Sequence, residues 1–224
     1  MHTIKADVMA KHRLWQDEYW LLLMQLYLKR PEGVKPMYSK PMVALALELH
    51  IPPQYLYEQM FKLRQLDTPR MERLWERYGH NPQRLAKGVR MLRKMKGFSN
   101  ADAFYEGVDT IESWELDFKP VTEGSTMLPV MLIIILDLYF RLTPNTMVAD
   151  TPEIIELARL LKLKPKEVVE VMDVYQLCDP YLNRSAIILS PLLGPCQQIW
   201  QRFGNDNPEK LAGLAAQLKD YFSS

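Results

Sequence analysis

The chain has 224 residues, 48% of them hydrophobic and 25% charged, with 9 glycines and 2 cysteines. That balance is ordinary for a globular protein; it excludes disorder as the default state and excludes a disulfide framework. The net charge of +1 conceals an asymmetry: residues 1–98 hold 18 Lys and Arg against 9 Asp and Glu, whereas residues 99–224 hold 10 against 18. A basic region of this kind points to an anionic ligand or to pairing with an acidic region.

The N-terminal run MHTIKADVMAKHRLW lacks the apolar core of a signal peptide, and two thiols suit a reducing compartment, so the expected location is the cytoplasm. An apolar helix is predicted over roughly 15–30, followed by the proline-containing loop PEGVKPMYS. Ser39 is the expected N-cap of a second helix, with Pro41 in its first turn, running to about His50. A turn carrying Pro53 opens a third helix that ends near Asp67. A helix bearing Trp75 and a final helix over 82–96 follow. Residues 97–126, with seven Asp and Glu against one Lys, form an acidic connection. The apolar run Met127–Leu136 contains Pro129 and stops at Asp137, about half the length of a membrane span, so it predicts a buried helix over 128–142. After TPNTMVADT, Thr151 is the expected N-cap, with Pro152 in the first turn of a helix ending near Lys162. Pro165 opens a further helix ending near Asp179. An apolar insertion near Pro180–Gly194 is expected to pack, ahead of a Trp200-bearing helix and a final helix over 208–222.

The order of elements before and after the acidic connection is the same. Displacing the sequence by 112 residues aligns Leu22–Asp67 with Ile134–Asp179 without gaps and with 9 identities in 46 positions, among them Leu26-Tyr27 on Leu138-Tyr139 and Leu45-Ala46 on Leu157-Ala158. Beyond the insertion, Trp75, Tyr78 and Gly79 meet Trp200, Phe203 and Gly204, and Asn81-Pro82 and Leu85-Ala86 meet Asn207-Pro208 and Leu211-Ala212. The expected fold is all-α, built from two tandem copies of a multi-helix, helix-turn-helix-like unit. Its expected divisions are a basic unit at 1–98, an acidic connecting segment at 99–126 and an acidic unit at 127–224.

Leu45-Ala46, Leu49, His50, Ile51 and Leu56 carry helix-turn-helix spacing, as do Leu157-Ala158, Leu161, Lys162, Leu163 and Val168. Alanine permits a close helix crossing, and the apolar positions form the shared core. The turn residue favours glycine because it adopts a left-handed conformation; His50 and Lys162 stand there instead. In the first unit the candidate nucleic-acid contacts are Arg70, Arg73, Arg77, Arg84, Lys87, Arg90 and Lys94 for phosphates, and Gln54, Tyr55, Tyr57 and Lys62 for a groove. Arg84, Lys87, Arg90 and Lys94 recur at steps of three and four, which places them on one helix face, opposite Leu85, Leu92 and Met95. A solvated face, neutralised by the acidic stretch Asp102–Asp117, is the competing expectation. In the second unit Glu167, Glu170 and Asp173 oppose phosphate.

No catalytic constellation is present. The histidines His2, His12, His50 and His80 are isolated from one another and from Cys178 and Cys196, so neither a metal site nor a cofactor is expected. Cys178 stands where the first unit has Leu66, which marks a small core residue, and Trp15, Trp20, Tyr27 and Trp75 also read as core.

The run LDLYFRL, the segment PEIIELARLL, and the later Asp-Pro and IWQRF resemble the helical domain that sits ahead of HNH endonuclease domains in bacterial proteins. The resemblance covers Leu128–Leu218, and more faintly the first region through Trp15, Leu26-Tyr27 and Asp67. It implies a DNA-associated accessory role. The chain has no HNH segment and no histidine after His80, so nuclease activity is not implied. The expectation is a non-catalytic binding protein contacting duplex DNA through residues 54–96. The alternative is a helical protein-interaction scaffold, which the 13 methionines would suit through partner binding or self-association, with no membrane involvement.

Overall fold

A computed structural model describes residues 11–99, 113–182 and 190–223. Every regular element among them is helical. The chain divides into two compact units: Met1–Met37 with Pro41–Thr110, and Tyr38–Lys40 with Ile111–Ser224.

In unit 1, the 3-10 turn Asp17–Tyr19 leads into α1, Trp20–Leu28. This helix is apolar nearly all round and buries Trp20, Leu22, Leu23, Met24 and Leu26, each worth about 1.5–3 kcal/mol when fully removed from water. The chain beyond α1 is tied by a buried amine: Lys35 Nζ donates to the Lys29 carbonyl at 2.6 Å and also to that of Pro31. Helix α2 (Lys40–Leu49) and helix α3 (Pro53–Gln65) follow. His50 between them has φ +53°, and Ile51 N–H donates to the Ala46 carbonyl at 3.1 Å, which closes the end of α2. Helix α4 (Pro69–Tyr78) is capped by the Thr68 hydroxyl, which accepts from Met71 N–H at 3.3 Å. Helix α5 (Pro82–Arg93) is capped by the Asn81 side chain, which accepts from Arg84 N–H at 2.9 Å. It packs on α1 and α4 and buries Leu85, Val89 and Leu92.

Unit 2 begins with the short helix α6 (Ser113–Leu116) and reaches α7 (Pro129–Arg141). Every residue from Val130 to Tyr139 is buried, so α7 is the core of the unit. Helix α8 (Pro152–Leu161), helix α9 (Pro165–Cys178), helix α10 (Leu193–Phe203) and helix α11 (Pro208–Leu218) complete it, with α9, α10 and α11 each packed on α7. The Tyr175 hydroxyl donates to the Leu132 carbonyl at 2.9 Å, which satisfies a polar atom deep in this core. Burial pushes the Tyr175 phenol well up and the neighbouring Cys196 thiol up to about 12.

Several local devices recur at the sequence offsets. Helices α2 and α8 begin and end 112 residues apart, as do the starts of α3 and α9. Lys162 has φ +60°, and Leu163 N–H reaches the Ala158 carbonyl at 2.9 Å, the same closure as at His50. The Tyr27 and Trp75 rings meet edge-on at 5.8 Å, and Tyr139 and Trp200 meet edge-on at 5.9 Å. A Cβ on Gly79 would lie 2.7 Å from the Trp75 carbonyl and 3.1 Å from its indole, and one on Gly204 would lie 2.7 Å from the Trp200 indole. Both glycines follow their tryptophans by four residues because the indole folds back over that position.

Some local expectations are corrected. Thr151 holds the N-cap position of α8, but its hydroxyl donates to the Thr146 carbonyl at 2.5 Å and caps nothing. Helix α5 ends at Arg93, and Met95 beyond it is 60% exposed, so it is no part of the apolar face that Leu85 and Leu92 form. Cys178 is half-buried instead of a core residue. Within the apolar insertion, residues 183–189 lie outside the described residues, and Tyr181 is 91% exposed.

Candidate nucleic-acid interface

The helix-turn-helix positions largely form the expected small core: Leu45, Ala46, Leu49, Ile51 and Leu56 are all buried, as are Leu157, Ala158, Leu161 and Val168, whereas Leu163 is only half-buried. The turn residues His50 and Lys162 take the left-handed conformation despite carrying side chains. For a non-glycine residue this costs on the order of 1 kcal/mol, offset in both turns by the closing backbone bond and, after His50, by full burial of Ile51.

The groove-facing expectation for α3 does not hold at Tyr55. That ring is 6% exposed and packs against Trp15 at 5.6 Å and His12 at 5.5 Å. An aromatic at this point follows the apolar stripe of α3, with Leu56, Gln59, Met60 and Leu63 also buried, so it turns inward. Tyr57 is half-buried with its ring edge-on to Phe61 at 5.0 Å, and Lys62 is half-buried. Gln54 is exposed, with its amide 3.5 Å from Glu58.

The expected phosphate contacts, by contrast, are exposed throughout: Arg70, Arg73, Arg77, Arg84, Lys87, Arg90 and Lys94. Their engagements differ. Arg70 pairs with Asp17; burial raises that carboxyl, but hydrogen bonds and charge from Arg70 and Lys11 outweigh it and hold the group below its usual value. Arg73 Nε donates to the Pro69 carbonyl of its own helix at 3.2 Å. Arg77 and Arg84 flank the Tyr78 ring at 5.5 and 5.6 Å. Arg93 makes a two-pronged pair with Glu48 at 2.6 and 2.9 Å. Arg84, Lys87, Arg90 and Lys94 make no ion pair with any described residue. Of the acidic stretch proposed to neutralise them, Asp102, Glu106, Asp109 and Glu112 lie outside the described residues, and Asp117 is held by Arg202 of its own unit at 2.6 and 2.8 Å.

Helix α11 supplies an internal control. At an offset of 126 residues, Leu211, Ala215 and Leu218 stand for Leu85, Val89 and Leu92, and all are buried. On the outward face, Arg84, Lys87 and Arg90 are matched by the exposed Lys210, Gly213 and Ala216, and Lys94, just past α5, is matched by the half-buried Asp220 beyond α11. Lys210 lies 3.7 Å from Asp206. The packing of this helix therefore requires no cationic row.

Unit 1 also holds a concave site whose walls come from three separate helices, which no local sequence pattern marks. A half-open groove of about 710 Å³ lies among α1, α2 and α5, floored by Leu22, Leu26, Leu45 and Leu85 and rimmed by Lys29, Glu32, Glu48 and Arg93. Five of its positions on α1 and α2, with Lys29 just past α1, recur at the 112-residue offset around a smaller groove of about 210 Å³ in unit 2, and Arg93 recurs there as Lys219 at the 126-residue offset. Glu153 and Glu156 line it where Pro41 and Ala44 line the larger groove. Among the described residues, no group of three or more His, Cys, Asp or Glu is placed to hold a metal ion, and no helix is long and apolar enough to cross a membrane.

Comparison of the chain with protein-family models, curated proteins and solved structures gave no match.

Proposed function

We propose that the chain carries one five-helix unit twice, and that unit 1 binds nucleic acid through the basic surface of α4 and α5 as a non-catalytic, DNA-associated accessory protein. The observation that carries this reading is the contrast between α5 and α11. Two helices with the same buried face differ outward, and only α5 presents a row of cations without ionic partners among the described residues. Concentrated unpaired cations repel one another, so a row that packing does not require is a cost unless an anion neutralises it. The resemblance of unit 2 to a domain found ahead of HNH nucleases points in the same direction.

The test is binding of the full chain to random duplex DNA across a salt series, read by fluorescence polarisation. Affinity is expected to fall log-linearly with salt, and no association at the lowest salt would sink the reading. A second reading is favoured by Met91 and Met95, 61% and 60% exposed beside the cations of α5. Polarisable apolar groups among positive charges suit an acidic amphipathic protein segment, making unit 1 an interaction scaffold. DNA binding that survives Met91→Ser/Met95→Ser but not Arg84→Glu/Arg90→Glu separates the first reading from the second.

A further inference from the structure

Resting on the nucleic-acid reading and narrowing it, we infer that unit 1 grips the phosphodiester backbone alone, through the α5 row, and that α3 reads no bases despite its helix-turn-helix geometry.

A helix that reads a major groove must offer its first turns to the base edges. The start of α3 does not. Pro53, Tyr55 and Leu56 are buried there, and residues ahead of α1, His12 and Trp15, lie against the Tyr55 ring. The exposed Gln54 has its amide turned to Glu58, whose carboxylate shares that side of the helix and opposes phosphate. In unit 2 the exposed side of α9 carries Glu170, flanked by the half-buried Glu167 and Asp173. The left-handed turns at His50 and Lys162 therefore serve helix packing in both units.

The α5 row has the dimensions of a backbone contact. Arg84 to Lys94 spans ten residues, about 15 Å at the helical rise of ~1.5 Å per residue. Its four cations can meet at most about four phosphates of a duplex backbone. Contacts of this kind fix position without reporting sequence. The expected salt slope is then roughly −3 to −4, close to 0.9 per neutralised phosphate.

The experiment uses the full chain and two duplexes of equal length and unrelated sequence, with polarisation measured from about 50 to 200 mM salt. Two variants accompany it, Lys87→Glu/Arg90→Glu and Gln54→Ala/Lys62→Ala, each checked for an unchanged thermal melt. The two duplexes are expected to bind within about threefold of each other, because no base is read. Lys87→Glu/Arg90→Glu is expected to lose at least about tenfold in affinity and to flatten the slope by about two, while Gln54→Ala/Lys62→Ala stays within about twofold. A sequence preference of about tenfold or more that Gln54→Ala/Lys62→Ala erases would overturn the inference and leave the nucleic-acid reading standing. Unchanged affinity in Lys87→Glu/Arg90→Glu would overturn it by moving the site off α5. Failure of the parent chain to bind either duplex at the lowest salt would remove the underlying reading as well.

Discussion

Helices α5 and α11 close their units in the same way and face solvent in opposite ways. Each starts at an asparagine cap followed by proline, and each buries three apolar residues at matched spacing. One then displays Arg84, Lys87 and Arg90, with Lys94 just past its end; the other displays Lys210, Gly213 and Ala216. Where buried positions agree and exposed positions diverge, the shared part reports the fold and the divergent part reports what each surface meets. The grooves of the two units repeat the lesson, with matched leucines at 26/138 and 45/157 and changed rims.

The largest effects are expected at the glycines under the tryptophans. Gly204→Ala places a methyl 2.7 Å from three atoms of the Trp200 indole and is expected to cost about 1–3 kcal/mol in denaturant unfolding. Gly79→Ala, which meets the Trp75 carbonyl and indole, should destabilise similarly. A neutral Gly79→Ala would show that the two tryptophan packings are alike only in outline.

Lys35 marks a place where the units differ internally, since Met147 stands at its 112-residue offset and both are buried. Lys35→Met strips the Lys29 and Pro31 carbonyls of their donor and is expected to cost about 1–2 kcal/mol. Burial, with the charge of Lys29, lowers the Lys35 pKa against a smaller opposing pull from Glu32. The unfolded chain therefore holds this proton more tightly than the folded one. Stability should rise with pH through the alkaline range up to the ordinary lysine value of 10.5, and Lys35→Met should abolish that contribution. Unfolding midpoints measured along a pH series check both statements.

A smaller effect sharpens the outward contrast. Gly213 is exposed, and a Cβ there would meet nothing within 4 Å. Gly213→Lys should stabilise α11 by about 0.5–1 kcal/mol in thermal unfolding, because glycine is a poor helix former. Destabilisation instead would mean that α11 tolerates no such side chain and that its outward face is set by packing.

Much of the fold was legible in the sequence because apolar periodicity and the Ser/Thr/Asn-before-proline signals are local. Helices α2, α3, α8 and α9 fall within a residue or two of their expected ends, and α7 is buried as its unbroken apolar run implied. What escaped was non-local. Tyr55 reads as a possible surface aromatic until His12 and Trp15, more than 35 residues earlier, are seen to lie against it. The Thr151 hydroxyl looks like a cap until Thr146 presents a carbonyl to it. The exposed cations were legible by spacing alone, but their lack of ionic partners was not, since Arg93 finds Glu48 and Arg70 finds Asp17 across the fold.

The α5 row is proposed to meet phosphate and not to hold the unit together. The direct measurement is duplex affinity and thermal stability of Lys87→Ala/Arg90→Ala side by side, which brings α5 close to the outward face of α11. The expected result is a melt unchanged or raised, with affinity lowered at least about tenfold and a salt slope shallower by about two. Unchanged affinity with a lowered melt would contradict it, and would make the row a structural feature of unit 1.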